Sequence, residues 1–193
     1  MSSSKKLTYF KLNGLAEMSR YMLHYGGQKF EDVRYSHAEW PFYIVSALPY
    51  GKLPVYEENG RQLNQSIAIA RYVGTISGLV PSDPWEAALL DATVLTINDL
   101  LMECWGLFRE PDETKKTELK EKLIEETVPY YLSRFEKGLQ LSWADFVLLS
   151  AIENISFLGE VHKGYPNIVA LTDKVQALPR VKEYIENRPK SSF

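Results

Sequence analysis

Residues 5–10 (KKLTYF) form a short run of β-branched and aromatic side chains, and Asn13-Gly14 breaks it before Met18, Tyr21, Met22 and Tyr25 recur at helical spacing over 16–25. The pattern predicts strand, turn and helix. Gly26-Gly27 ends that helix, 30–35 alternates as a second strand, and 38–48, around Trp40-Pro41, reads as irregular or short helical structure. Two further strand candidates, 53–56 and 62–64, flank Asn59-Gly60, a strong hairpin signal. Ser66 then opens a helix carrying Ile67, Ala70, Arg71, Val73 and Gly74 and ending near Gly78.

This order, βαβαββα, is thioredoxin-like. Residues 79–84 hold two prolines and no periodicity, which marks an inter-domain linker. After it the strand signals stop. Over 85–108, Leu89, Leu90, Val94, Ile97, Leu101 and Trp105 recur at spacings that fit one long buried helix. A second helix is expected over 115–138, with Pro129 predicting a kink or a break. Ser142-Trp143-Ala144-Asp145 is a capping-box variant that should start a buried helix over 143–155. Pro166-Asn167 and Pro179 punctuate two more helices that end near Arg188-Pro189. The expected fold is therefore α/β plus all-α: a thioredoxin-like domain over 1–80 and a helical bundle domain over 81–193.

Composition narrows the class of function. The 193 residues are 45% hydrophobic and 24% charged, an ordinary globular mixture. With 22 Lys and Arg against 25 Asp and Glu, and no run of five like charges, a nucleic-acid partner is not expected. No apolar run approaches the roughly 20 residues of a membrane span, and no apolar segment follows Lys5-Lys6 as a secretory leader requires. The single cysteine, Cys104, excludes an intrachain disulfide, a CxxC redox pair and a thiolate zinc cluster, and the three His show no metal-ligand spacing. A reducing, cytoplasmic setting is expected.

A thioredoxin-like half without CxxC leaves the phenol of Tyr9 as the nearest reactive group after the first strand, although a tyrosine at a strand end is ordinarily a packed aromatic. Its surroundings change that weighting. Leu7-Thr8-Tyr9-Phe10, Gly14-x-Ala16-Glu17, Glu39-Trp40-Pro41, Leu48-Pro49-Tyr50-Gly51-Lys52-Leu53-Pro54, Gln65-Ser66-x-Ala68-Ile69-Ala70-Arg71-Tyr72 and Trp143-Ala144-Asp145-Phe146 stand in register along nearly the whole chain. Together they resemble the cytosolic glutathione transferases, in an order and spacing similar to the sigma class, which includes invertebrate enzymes and haematopoietic prostaglandin D synthases.

The resemblance implies that Tyr9 is the catalytic phenol, donating a hydrogen bond to the sulfur of bound glutathione. It implies a cis bond at Leu53-Pro54, with the backbone of Leu53 facing the cysteinyl amide. Gln65 and Ser66 would hold the γ-glutamyl carboxylate, a helix start being a ready anion site, though Ser66 also reads as a plain N-cap. Trp40, Gly51 and Lys52 would line the glycyl end; by itself Lys52 reads as a solvated charge. Asp99 matches a carboxylate that reaches the neighbouring subunit's γ-glutamyl ammonium, so complete sites would require a homodimer. Phe10, Asn13, Leu15, Met102, Trp105 and Phe108 would form the pocket for a hydrophobic electrophile, although an ordinary core helix carries the same apolar types. Tyr50 reads equally as a key into the partner or as core.

Several positions depart from the sigma pattern. Asn13 replaces a frequent Arg, and Ile44 or Val45 falls where a Lys often helps to bind the glycyl carboxylate. The positions matching a metal site of the prostaglandin D synthases are Leu95, Asn98 and Asp99, so no metal is expected there. The segment around Gly138 to Leu141 is shorter than in relatives, which carry a further loop before the Ser-Trp-Ala-Asp box. The expected activity is conjugation of the glutathione thiolate to hydrophobic electrophiles. Two alternatives remain: a glutathione-dependent prostaglandin-type isomerase, and a non-catalytic carrier or crystallin-like descendant.

Overall fold

The computed structural model describes residues 4–36, 48, 50–136 and 141–191. The chain divides into two compact units, residues 1–80 with 177–193 and residues 81–176. In the first unit β1 (Lys5–Phe10), a 3-10 turn (Gly14–Ala16), α1 (Glu17–Tyr25), β2 (Glu31–Tyr35), β3 (Val55–Glu58), β4 (Arg61–Asn64) and α2 (Ser66–Ile76) follow in the expected order. The sheet order is β2-β1-β3-β4, with β1 parallel to β2 and antiparallel to β3, and β3 antiparallel to β4. Residues 38–48 fall mostly outside the described residues. Strand β3 starts at Val55, two residues later than the expected 53, because Pro54 has no N–H to give the ladder; the Leu53-Pro54 bond is cis.

Alternation sets the faces of β1: Leu7 and Tyr9 are buried while Thr8 and Phe10 are half-buried. Register is fixed at the far end of the ladder, where Lys6 lies opposite Glu57 and Lys5 opposite Glu58, each forming an ion pair with its neighbour. On one side of the sheet, α1 packs against α2 and against a last helix, α8 (Pro179–Asn187). Residues 177–193 pack with the first unit: α8 buries Val181 and Tyr184 and carries its polar contacts to α1 and β2.

Those contacts form a closed ring of charged groups. Arg20, with no exposed surface, donates through Nη1 to Glu17 (3.0 Å) and to the carbonyls of Leu12 (3.1 Å) and Asn13 (3.2 Å), and through Nε to Asp32 (3.1 Å). Asp32 also accepts from Arg34 (2.8 Å), Arg34 donates to the Tyr184 hydroxyl (3.0 Å), and Tyr184 donates back to Glu17 (2.9 Å). Arg188 joins from the end of α8, donating to Glu17 (2.6 Å) and to the Tyr21 hydroxyl (2.5 Å). One buried arginine thereby ties α1, β2 and the loop after β1 together.

In the second unit α3 (Pro84–Trp105) starts at an Asp83 cap that accepts from Trp85 and Glu86, and it ends in a 3-10 turn (Gly106–Arg109). The helix expected over 115–138 is not continuous. It comprises α4 (Glu113–Lys122), a π-helical turn (Leu123–Thr127) and α5 (Val128–Phe135), and the break precedes Pro129, whose missing N–H cannot join an α ladder. Helices α6 (Trp143–Asn154) and α7 (Pro166–Gln176) complete the unit. Helix α6 is buried nearly all round and packs on α3, which itself buries Val94, Ile97, Leu100, Leu101 and Cys104. Among the described residues no helix is long and apolar enough to cross a membrane.

The expected box at the start of α6 is present. Asp145, fully buried, accepts from the Ser142 backbone N–H at 2.6 Å, while its Oδ1 has no hydrogen-bond partner. Burial pushes its carboxyl up to about 6 against the opposing effect of the Ser142 hydrogen bonds.

Substitution of these buried polar groups tests what each contributes. Arg20→Met leaves Glu17 and Asp32 short of a cation, and urea melts should show a loss of about 3–5 kcal/mol. Tyr184→Phe, which removes one hydroxyl from the ring, should cost about 1–3 kcal/mol. An unfolded Asp titrates near about 3.9, so between that value and the folded one the native state keeps a proton that the unfolded chain has released. Stability therefore falls as pH rises through this window. The stability of the parent relative to Asp145→Asn should drop by about 3 kcal/mol between about pH 4 and 7; a constant difference would contradict the assignment.

Candidate active site

The ladder register places three segments at one end of the sheet. Thr8 pairs with Val55 and Val55 with Asn64, so the end of β1, the start of β3 and the junction of β4 with α2 lie side by side. Tyr9, the cis Leu53-Pro54 bond and Gln65-Ser66 are therefore brought together by strand pairing alone.

Tyr9 is 8% exposed, with its ring against Phe10 at 5.5 Å between centroids. Its hydroxyl accepts from the Leu15 backbone N–H at 3.4 Å, in the 3-10 turn that leads into α1. Gly14 makes this approach possible: it has φ +44°, and a Cβ there would stand 2.9 Å from Tyr9 Cε1 and 3.0 Å from the hydroxyl oxygen. The Arg20 guanidinium carbon lies 6.0 Å from the ring centroid. Burial raises the phenol's pKa, opposed by the Leu15 N–H and by the charge of Arg20. At neutral pH the group is a protonated phenol, a hydrogen-bond donor for an anion.

Asn13, 8% exposed, sits in the same turn, and its Oδ1 is buried without a hydrogen-bond partner while its N–H donates to the Ser191 hydroxyl at 3.3 Å. Leu15 is half-buried beside it. Phe10 and Leu15 thus touch Tyr9, and Asn13 lies beside the turn that carries Leu15.

The second segment is the turn before β3. Gly51 has φ +61° and its N–H donates to the Leu48 carbonyl at 3.1 Å; Lys52 is exposed. Asn64, nearly buried, donates from Nδ2 to the Lys52 carbonyl at 3.5 Å, so the turn is tied to the residue beside Gln65. Gln65 itself is exposed and held at φ +70°, a conformation uncommon for a residue with a side chain. Ser66 is not the N-cap. Gln65 occupies that position, Ser66 is the first helical residue, and neither makes a side-chain cap bond. The first N–H groups of α2 consequently lack helical acceptors and face outward from its positive end.

In the second unit, Asp99 is exposed on α3. Met102 is 36% and Phe108 56% exposed, Trp105 is half-buried, and Phe108 packs edge-on to Phe157 at 4.7 Å. Tyr50, 71% exposed, is not a core residue of its unit. Trp40, Ile44, Val45 and residues 137–140 of the short segment lie outside the described residues. Among the described residues no group of three or more His, Cys, Asp or Glu could hold a metal ion.

Sequence reasoning missed Arg20, Asp32 and Asn64, and took Glu17 only as part of a motif. Arg20 sits one helical turn after Glu17, an ion-pair spacing that was available but that reads as a surface pair. Nothing local signals Asn64, whose importance follows from where the ladder puts the 52–53 turn.

Comparison with known proteins agrees with this geometry. Residues 5–75 match the family described as glutathione S-transferase, N-terminal domain, and residues 98–188 match glutathione S-transferase, C-terminal domain. Haematopoietic prostaglandin D synthase of Gallus gallus is 38% identical over 97% of this chain and 98% of its own length. Glutathione S-transferase S1 of Drosophila melanogaster is 33% identical over 96% of this chain and 79% of its own. The structure of prostaglandin synthase D of Nilaparvata lugens superimposes with a TM-score of 0.91 at 40% identity, covering 97% of this chain and 99% of that one. With both domains in order and similarity running end to end, the chain belongs to the glutathione S-transferase family.

Proposed function

We propose that this protein is a sigma-like, cytoplasmic glutathione transferase that conjugates the glutathione thiolate to hydrophobic electrophiles. The observation that carries the reading is the protonated, buried Tyr9 phenol at the end of β1, beside the N-terminal turn of α1. A free thiol has a pKa of about 8.5, and each unit by which a site lowers it takes about 1.36 kcal/mol of preferential thiolate stabilisation. A phenol O–H aimed at sulfur, with a helix N-terminus behind it, supplies about one to two such units. The Leu15 N–H already occupies the phenol oxygen as acceptor, which leaves the phenol proton for the sulfur.

In this reading the first unit holds the tripeptide. The cis turn presents the Leu53 backbone to the cysteinyl amide, and Gln65, Ser66 and the α2 N-terminus hold the γ-glutamyl carboxylate. Gly51, Lys52 and Trp40 receive the glycyl end. Phe10, Asn13 and Leu15, with Met102, Trp105 and Phe108, shape the pocket for the electrophile. Asp99 completes the site of a second subunit in a homodimer. Exposed Trp85, Leu89 and Leu95 on α3, and exposed Tyr50, support subunit contact. No metal takes part.

The second reading is a glutathione-dependent isomerase. It is favoured by the relatives named prostaglandin synthase, and it uses the same thiolate with glutathione regenerated. Parallel assays with 1-chloro-2,4-dinitrobenzene and prostaglandin H2 separate the two.

Tyr9→Phe decides whether the phenol acts as proposed. Its kcat/KM should fall about 10- to 100-fold near pH 6.5, and the gap should narrow as pH approaches 9, where the thiol ionises unaided. A variant as active as the parent near neutral pH would overturn the assignment. Failure of the parent to bind a glutathione resin would favour the non-catalytic descendant.

A further inference from the structure

The first unit carries a second feature at the other edge of its sheet. A cleft of about 1260 Å³ opens where β2, the C-terminal end of α1, and α8 with the residues after it meet. None of the proposed glutathione or electrophile contacts lines it. Its walls carry six cations, Lys11, Lys29, Arg34, Arg180, Arg188 and Lys190, against two carboxylates, Asp32 and Glu183. That is an excess of four positive charges in a chain whose net charge is −3. Clustering of one sign against the net charge of the chain raises the local potential and draws anions.

The cations are placed by the fold. Arg34, with a side chain only 9% exposed, is held by Asp32 and by the Tyr184 hydroxyl through Nε and Nη2, which leaves the donors of Nη1 for a ligand. Arg180 lies against the backbone at the end of α1, donating to the Tyr25 carbonyl at 3.5 Å. It can do so because residue 27 is glycine, with φ +62°: a Cβ there would collide with the Arg180 guanidinium. Asp32 is shared between Arg20 and Arg34, and Arg188 is paired with Glu17, so the excess charge of the cleft comes mainly from its lysines and Arg180. His24 stacks on the Tyr184 ring at 4.2 Å and forms a flat wall; burial lowers its pKa, against the raising effect of Asp32, Glu17 and Glu183.

A single carboxylate or sulfate would engage one or two of these cations. Six of them around a cleft larger than a typical drug-sized site fit a ligand with several anionic groups. We propose that this cleft is a second ligand site, separate from the thiolate site, that takes an organic molecule carrying two or more phosphate groups. Such groups occur on soluble small molecules and on phosphorylated inositol lipids, and the chemistry of recognition is the same for both.

The test is titration calorimetry of the intact protein with tripolyphosphate at physiological ionic strength, with and without excess glutathione. Parallel co-sedimentation uses phosphatidylcholine vesicles containing phosphatidylinositol bisphosphate. The comparison protein is the double variant Lys29→Glu with Lys190→Glu, two exposed side chains outside the buried ring. Saturable binding of tripolyphosphate is expected for either source, and sedimentation with the vesicles in addition identifies the lipid. The double variant should bind about tenfold or more weakly while conjugating at the parental rate. Orthophosphate should bind far more weakly than tripolyphosphate. The proposal is overturned if tripolyphosphate does not bind, if the variant binds as tightly as the parent, if orthophosphate binds equally well, or if excess glutathione displaces the probe.

Discussion

The first unit depends on the burial of one permanent charge. Arg20 has no exposed surface, and its guanidinium is stable there only because two carboxylates and two backbone carbonyls meet it. Each partner comes from a different piece of chain: Glu17 from α1, Asp32 from β2, and the carbonyls of Leu12 and Asn13 from the loop after β1. Tyr184 and Arg188 extend the set to α8. Desolvated charges tolerate little displacement, so these pieces are held in one arrangement.

That arrangement also supports the chemistry proposed for Tyr9. The phenol sits at the end of a strand whose register is set by cross-strand ion pairs at its other end. The turn beyond it is fixed by the Arg20 hydrogen bonds to Leu12 and Asn13, and within that turn Gly14 lets the chain pass against the ring. Asn64 does for the 52–53 turn what Arg20 does for 12–13, tying a loop carbonyl to a buried side chain. Ligand-facing atoms are thus held by polar groups that need not touch a ligand themselves.

Much of this was legible in the sequence because the signals were local. Asn13-Gly14, Asn59-Gly60 and the prolines at 81, 84, 166 and 179 bound the elements, and the 142–145 box opens α6 as its pattern requires. Tyr9, Leu53-Pro54 and Gln65-Ser66 were found through motif resemblance, and pairing of β1, β3 and β4 brings them to one end of the sheet. What was not legible depends on long-range contact. The packing of α8 on the first unit rests on Tyr184 meeting residues 150 and 167 positions earlier, and nothing near Pro179 announces it. Ser66 was read as a cap because serine favours that position, whereas the backbone gives it to Gln65 at positive φ, leaving the serine hydroxyl and the helix N–H groups uncommitted.

The π-helical turn at Leu123–Thr127 bears on how this helical segment can change. Helix α4 buries no residue along its length, whereas α5 buries Val128, Leu132 and Phe135. The wider turn acts as a phase shifter between a solvent-facing rod and a core-facing one. Because an i→i+5 turn holds one residue more than an i→i+4 turn, removing a single residue from it would close the ladder to regular α-helix and leave those three side chains facing the core. The stretch is therefore the place in this helical segment where a one-residue change of length is absorbed, with α4 free to turn in solvent while α5 keeps its buried face.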